Sequence, residues 1–467
     1  TVNMLSKGMG VGLNRVALIL AATVVTASFP MPERTTANQG ATLRVKGAIA
    51  QNLSIAAEGK VKEFLSSEEM NEVFQRCCPL MVPLNGEERL AVLHTLVMGS
   101  ELVHNFPSVD GTGNFFKDLT IKLAMEYPWF LNEWQALLIL NGTTGSKDAK
   151  NTSNRVYVDA EVSIYGCKAF AEEQHPTWEE ASDRLLYVAH NMRQIDTGNN
   201  VFFGNVSAVF RTSKVKDNVL IAPIDTGIYE GSCNNSYGPN LPIDCDAWKD
   251  DPIGTLEFSD HLFLENLQIW AKARNYTMVQ EAEALFTRSA ISKYSYSSLP
   301  NVTSKDVIRY YESNIVGNPP FPESVKFLIG YFPYLFGTQD GLNLQKLADR
   351  YNWPLVWALG VYPTSHHISP AYGANERMLD PTAKASSSLN ITISKKMSAS
   401  FEELWGKAAA VRKSTAHKLP PQTTIEGWWS ELMQTEQVRI GPASPFSCRA
   451  LDECIGVSLS SNDCICL

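Results

Sequence analysis

Apolar residues recur at helical spacing over 61–76, 87–105 and 115–140, the last interrupted at Pro128, so the early part of the chain is expected to be a helical lobe. At 156–164 the period changes. Val156, Val158, Ala160, Val162 and Ile164 alternate with other residues in the pattern of a half-buried strand. A further helix is expected over 178–195, then two strand-like runs, 201–211 and 218–224, joined through Lys214, Lys216 and Asp217 as a polar hairpin tip. From residue 257 the helical period returns, over 257–274, 277–292, 304–315, 323–336, 341–351, 400–417 and 424–436. Thr303 with Asp306, Ser400 with Glu403 and Thr423 with Glu426 supply N-terminal caps for three of these, a hydroxyl satisfying an orphan amide three residues on.

The expected fold class is α+β, mainly helical: one large helical unit over 59–440 with a small inserted β-sheet at about 154–225, then a Cys-rich C-terminal tail at 441–467. The stretch 362–390, with Pro363, Pro370 and Pro381, reads as a surface lid or wrapping segment.

At the start, Lys7 and Arg15 are followed by an apolar run from Val16 to Ala27 and by Ser28, Phe29 and Pro30, the order of a secretory signal peptide over 1–28, with Met4 as its natural first residue. As a helix the run would reach about 18 Å against a hydrocarbon core of about 30 Å, so no transmembrane anchor is expected after cleavage. Residues 29–58 read as a flexible leader. The expected location is therefore secreted or in the endomembrane lumen. Ala27 to Pro30, followed by Arg34, Thr35, Thr36, Arg44 and Lys46, also resembles a leader directed to a plastid through the endomembrane system, which is the alternative.

Composition sharpens this. With 467 residues, 44% apolar and 19% charged, the chain has material for a large core and is no disordered polymer. A net charge of −9 argues against general binding to polyanions, and nucleic acid is not an expected partner. Four of nine Cys, namely Cys448, Cys454, Cys464 and Cys466, crowd the tail in a disulfide-like knot, and Cys233 with Cys245 is expected to close a loop. Cys77 and Cys78 are adjacent, so each is expected to find a separate partner, Cys167 being one candidate. Eight Asn-x-Ser/Thr acceptors, of which Asn141 and Asn151 flank an expected exposed loop, fit a glycoprotein.

Two constellations carry chemistry. On the expected helix 87–105, His94, Glu101 and His104 share a face with Leu90, Leu93 and Val97, and a carboxylate beside two imidazoles suits a divalent metal ion, unless Gly99 breaks the helix and turns them apart. On the expected helix 257–274, Glu257, His261 and Glu265 stand four apart, two carboxylates flanking an imidazole for general acid/base work or metal ligation. Asp225 opens the second of two Asp-Thr-Gly triplets, the first at Asp196; too few residues separate them for a two-lobed aspartic protease, and turn formation explains both. The pair Glu172 and His175 is weakened by Pro176, and His366 with His367 lies in the long loop.

The expected function is a secreted or lumenal, disulfide-bonded glycoprotein acting as a hydrolytic enzyme on a small-molecule, peptide or glycan substrate. Its catalytic residues are expected among Glu257, His261, Glu265 and Asp225, and its metal ligands are His94, Glu101 and His104. The alternative is a non-catalytic extracellular binding or matrix protein using the aromatic segments 229–248 and 362–372.

Overall fold

The computed structural model describes residues 37–106, 121–144, 152–168, 176–192, 204–223, 253–263, 311–358, 391–393, 399–415, 420–433 and 438–440, with positions 226, 279, 282, 285 and 286. All belong to one compact unit, Pro32–Leu467. Among the described residues no helix is long and apolar enough to cross a membrane.

The fold is organised by a mixed sheet and not by a helical unit with a small insertion. Ten strands pair in the order β10-β9-β8-β7-β3-β1-β2-β6-β4-β5: β1 (Glu101–Phe106), β2 (Leu185–Asn191), β3 (Val206–Phe210), β4 (Val219–Ile221), β5 (Gly254–Thr255), β6 (Tyr311–Val316), β7 (Val325–Tyr331), β8 (Leu355–Ala358), β9 (Ile391–Ile393) and β10 (Val438–Ile440). Only β7 with β8 is parallel; every other neighbouring pair is antiparallel. The sheet thus draws strands from residue 101 to residue 440, far beyond the expected 154–225.

The physical reason is burial on both faces. β2, β3 and β7 are covered above and below, so they read as short apolar runs without alternation, which periodicity alone cannot tell from buried helix. β2, β6 and β7 accordingly fall within stretches expected to be helical, while 156–164, expected to be a strand, belongs to a helix, α6 (Thr152–Ser163). β3 and β4 lie where strands were expected, and the helices over 339–351, 399–414 and 422–433 lie where helices were expected.

Helices flank the sheet. The first, α1 (Ala37–Leu65), includes most of the segment read as a leader. Next come α2 (Glu68–Cys77), held by Ser67 capping Met70 N–H, and α3 (Gly86–Met98), started by a reciprocal capping box between Asn85 and Glu88. At Gly99, the C-cap, the chain leaves α3 and enters β1 two residues later, so 87–105 is a helix followed by a strand. Between β1 and β2 the described helices are α4 (Ile121–Glu126), α5 (Glu133–Thr144), α6 and α7 (Trp178–Ser182). After β2 the helices described with bounds are α8 (Thr212–Val215), α9 (Phe321–Ser324), α10 (Phe332–Leu335), α11 (Gln339–Tyr351), α12 (Ala399–Ser414) and α13 (Gln422–Met433).

α11 packs on the sheet at Gly330 of β7, where an added Cβ would lie 2.9 Å from Leu344 and 3.1 Å from Trp357. α12 and α13 close over α10 through an aromatic cluster: Phe336 lies 4.8 Å from Trp405, and Phe332 lies 5.0 Å from Trp429. Buried Arg412 of α12 secures this by donating to Phe336 O and Pro333 O, both at 2.7 Å.

The cysteines depart from expectation. Cys77 and Cys78 are bonded to each other, and Cys167 is free. α2 ends between them: Cys77 is its last residue, and Cys78, with φ −140° and ψ 65°, has left the helix, so the two side chains are not splayed as successive helical positions would be. Cys233, Cys245 and the four tail cysteines lie outside the described residues.

Two glycines make a matched test of this packing. In Gly341→Ala the new Cβ would sit 2.1 Å from Leu335 O, so unfolding by urea is expected to show a loss of about 1–3 kcal/mol. Gly406, exposed on α12 with nothing within 4 Å of a Cβ, is expected to gain about 0.5–1 kcal/mol as Ala.

Candidate active site

The structure separates the expected metal ligands. His94 is half-exposed on α3 and pairs with the buried carboxylate of Asp260. Glu101 opens β1 and pairs with Lys326 at 2.8 Å. His104 stands inside β1, its Nδ1–H donating to Tyr187 O at 2.8 Å and its ring stacked on Phe106 and edge-on to Phe130. Gly99 is what parts them, by ending the helix before Glu101. Among the described residues no three His, Cys, Asp or Glu side chains are grouped to hold a metal ion.

The second constellation is not one helical stripe either. Glu257 is exposed in a bend, the helical residues there begin only at Asp260, and His261 Nε2 bonds Ile253 O at 3.2 Å. Glu265 and Asp225 lie outside the described residues, as do Asp196, Glu172, His175, His366 and His367.

A different group of ionisable side chains converges on the sheet. Pairing sets Asn105 of β1 opposite Ser207 of β3, and Tyr187 of β2 opposite Asn314 of β6, with Ala189 opposite Glu312. Because side chains alternate, these residues share one face with Tyr331, and Asn105 Nδ2 joins the row by donating to Ser207 Oγ at 2.7 Å and Tyr331 Oη at 3.0 Å. A central sheet face that would ordinarily be apolar is therefore polar across adjacent strands.

Two carboxyl groups lie at this row, both out of contact with water. Glu161 comes from α6 and Glu312 from β6, at 0% and 1% exposure. Their surroundings differ. Glu312 accepts from the N–H of Thr226 at 2.8 Å, the Thr226 hydroxyl at 2.7 Å, the Tyr165 hydroxyl at 2.7 Å and Asn314 Nδ2 at 2.9 Å. All four donors are neutral, and they fix both oxygens of the carboxyl.

Glu161 accepts from Arg184 Nη1 at 2.9 Å, from Trp134 Nε1 at 3.1 Å and from the Tyr187 hydroxyl at 3.3 Å. Burial nevertheless pushes its carboxyl above the ordinary range, against the opposing pull of Arg184 and the hydrogen bonds. The Tyr187 phenol is driven well up, first by burial and then by the charges of Glu161 and Glu312. Cys167 is pushed up to about 12 by burial and by Glu161, so its thiol stays protonated and is no nucleophile.

The chain reaches this geometry locally. Glu161 lies in the last turn of α6 and Tyr165 in the turn that follows the helix, and they engage Tyr187 and Glu312 respectively. Arg184 immediately precedes β2, which aims its guanidinium back at α6. Two signals in the sequence mark the site: the i, i+4 spacing of Glu161 and Tyr165, hidden when 156–164 is taken as a strand, and the alternation of Glu312 and Asn314 inside a short run. Sequence reasoning missed Glu161, Tyr165, Arg184, Tyr187, Glu312 and Asn314; of the Asp-Thr-Gly triplet it singled out, the neighbour Thr226 is what binds the site.

The histidines give pH predictions of opposite sign. Burial lowers His104 and His190 from 6.5 to about 4, so the unfolded chain takes up protons that the folded one refuses as pH falls from about 6.5 to about 4, and stability is lost across that window. Urea unfolding at several pH values is expected to show this, with a shallower dependence in His104→Gln. His94 is raised, mainly by its bond to Asp260, so its contribution is complete below about 6.5 and disappears as pH rises through the raised value. Because His94 is largely solvent-screened, His94→Gln is expected to cost about 0.5 kcal/mol at pH 5.5 and nothing at pH 9. Arg184→Met would leave buried Glu161 without its partner and is expected to cost about 3–5 kcal/mol.

No protein-family model matches this chain, and no curated protein matches it.

Proposed function

We propose that this chain is a hydrolytic enzyme of the secretory route in which Glu161 is the general acid and Glu312 the carboxylate that works with it. One observation carries the reading: two buried carboxyls at one polar patch of the sheet are held differently, Glu161 paired with Arg184 but pushed up by burial, and Glu312 held by four neutral donors. Two buried carboxyls at one polar patch, one of them raised by burial, are a candidate acid/base pair. Glu161 gives its proton to the departing group and Glu312 receives one from the attacking water. Tyr165 and Tyr187 fix the two carboxyls and supply donors for a polar substrate.

This pair takes the roles first expected of Glu257, His261, Glu265 and Asp225. The secretory location rests on the order of basic, apolar and small residues over 4–30 and on the Asn-x-Ser/Thr acceptors, of which Asn52 is exposed on α1 while Asn205 is buried.

The test uses folded, secreted protein against chromogenic glycosides, nitrophenyl esters and labelled casein between pH 4 and 8. Turnover of one class is expected, falling about 10²-fold or more in Glu161→Gln and in Glu312→Gln while circular dichroism stays unchanged. Absence of turnover across the panel, or full activity in both variants, would sink the proposal. Glycosidase treatment with a mass measurement checks the location separately.

A further inference from the structure

A second chemical centre lies away from the sheet, at the end of α2. From the bonded, adjacent Cys77 and Cys78 we infer that the protein carries a redox site that exchanges electrons with an external dithiol. It rests on three observations independent of the carboxyl pair.

The first is placement. Cys78 is buried at 4% exposure and Cys77 is partly exposed, with exposed Arg76, Pro79 and Leu80 on either side. An attacking thiolate therefore has access to one sulfur of the two. The second is a fixed frame. Cys78 N–H donates to Phe74 O at 2.8 Å, which anchors the residue to α2, and Met81 N–H donates to Cys78 O at 2.8 Å, which anchors the following turn.

The third observation is Arg89 of α3. Its guanidinium is 2% exposed, and its hydrogen-bond acceptors are all neutral: Met81 O at 3.0 Å, Val82 O at 3.1 Å, Asn71 Oδ1 at 2.6 Å and Leu65 O. It also lies over the Phe74 ring, 4.8 Å from its centroid. Among the described residues no carboxylate neutralises this buried cation. It grips the turn just after Cys78 and lies over the ring of Phe74 in α2, so the backbone on both sides of the pair is held while the sulfur bond opens and closes.

The exchange balances as follows. A thiolate of the dithiol bonds to Cys77 Sγ; the Cys77–Cys78 sulfur bond breaks and its electron pair leaves on Cys78 Sγ, which takes a proton. The second thiol of the dithiol then attacks the mixed disulfide, expelling Cys77 as a thiol and closing the reductant as a disulfide. The protein pair is reduced by two electrons and the dithiol oxidised by two. Cys78 Sγ also contacts Ala282 O at 3.8 Å, and Phe74 meets Phe286 edge-on at 5.3 Å, so the pair and its neighbouring ring touch Ala282 and Phe286.

Native protein is quenched in acid, alkylated and digested with trypsin without reduction, which isolates the peptide Cys77–Arg89 holding both cysteines. The expected result is an unalkylated peptide two hydrogens lighter than its reduced form. After dithiothreitol both thiols should alkylate, phenylarsine oxide should protect both together, and oxidised glutathione should close them again. Linkage of either cysteine to another peptide overturns the proposal. So do two free thiols that oxidised glutathione does not close onto each other. The digest needs no variant, so misfolding cannot imitate either result, and the outcome is independent of the Glu161 and Glu312 tests.

Discussion

The pairing of Arg184 with Glu161 is the contact on which most of the architecture converges. The two side chains are 1% and 0% exposed and meet at 2.9 Å. Burying either charge alone would cost several kcal/mol, so α6 and the start of β2 can be buried only together. The Arg184 carbonyl extends the junction, accepting from Gln39 of α1 and from Asn132 before α5, each at 3.2 Å. Trp134 of α5 then returns to Glu161. Three helices and the strand are therefore docked on one residue, and an ion pair that adds little net stability specifies where each belongs.

From this junction the polar row crosses the sheet. A buried polar group is costly unless it is hydrogen-bonded, and Tyr187, Asn314, Glu312, Tyr165, Asn105 and Ser207 each make hydrogen bonds across strands or to α6. The opposite face follows the usual rule: Phe130 packs on Phe210 and Phe321 at 4.7 and 4.6 Å, and α11 closes over Gly330. His104 belongs to that apolar side, which is why burial keeps it neutral. The sheet thus divides the molecule into a side that holds it together and a side that carries ionisable chemistry.

What could be read from the chain depended on the range of the forces involved. Local signals were legible: α11, α12 and α13 lie where periodicity placed them, and β3 and β4 fall in their expected runs. The larger sheet was not: β2 and β7 are mostly apolar because both their faces are buried, and β6 buries Glu312, Ser313 and Asn314 among partners that no short window contains. A single glycine decided the fate of the first constellation. His94, Glu101 and His104 share a face only if the helix continues through Gly99, and there it ends.

The sequence by itself determined the bulk of the core, the balance of charge and the helices whose apolar spacing is local, while Ser400 and Thr423, expected as N-caps, fall inside α12 and α13. It also supplied the adjacency of Cys77 and Cys78 and the one-turn spacing of Glu161 and Tyr165. Only the tertiary structure decided that Glu161 meets Arg184 and Tyr187, that Glu312 meets Thr226, and that Arg89 lies over Phe74 beside the cysteine pair. These meetings join residues far apart along the chain through pairing registers and burial, and a carboxyl's protonation follows the surroundings that folding gives it.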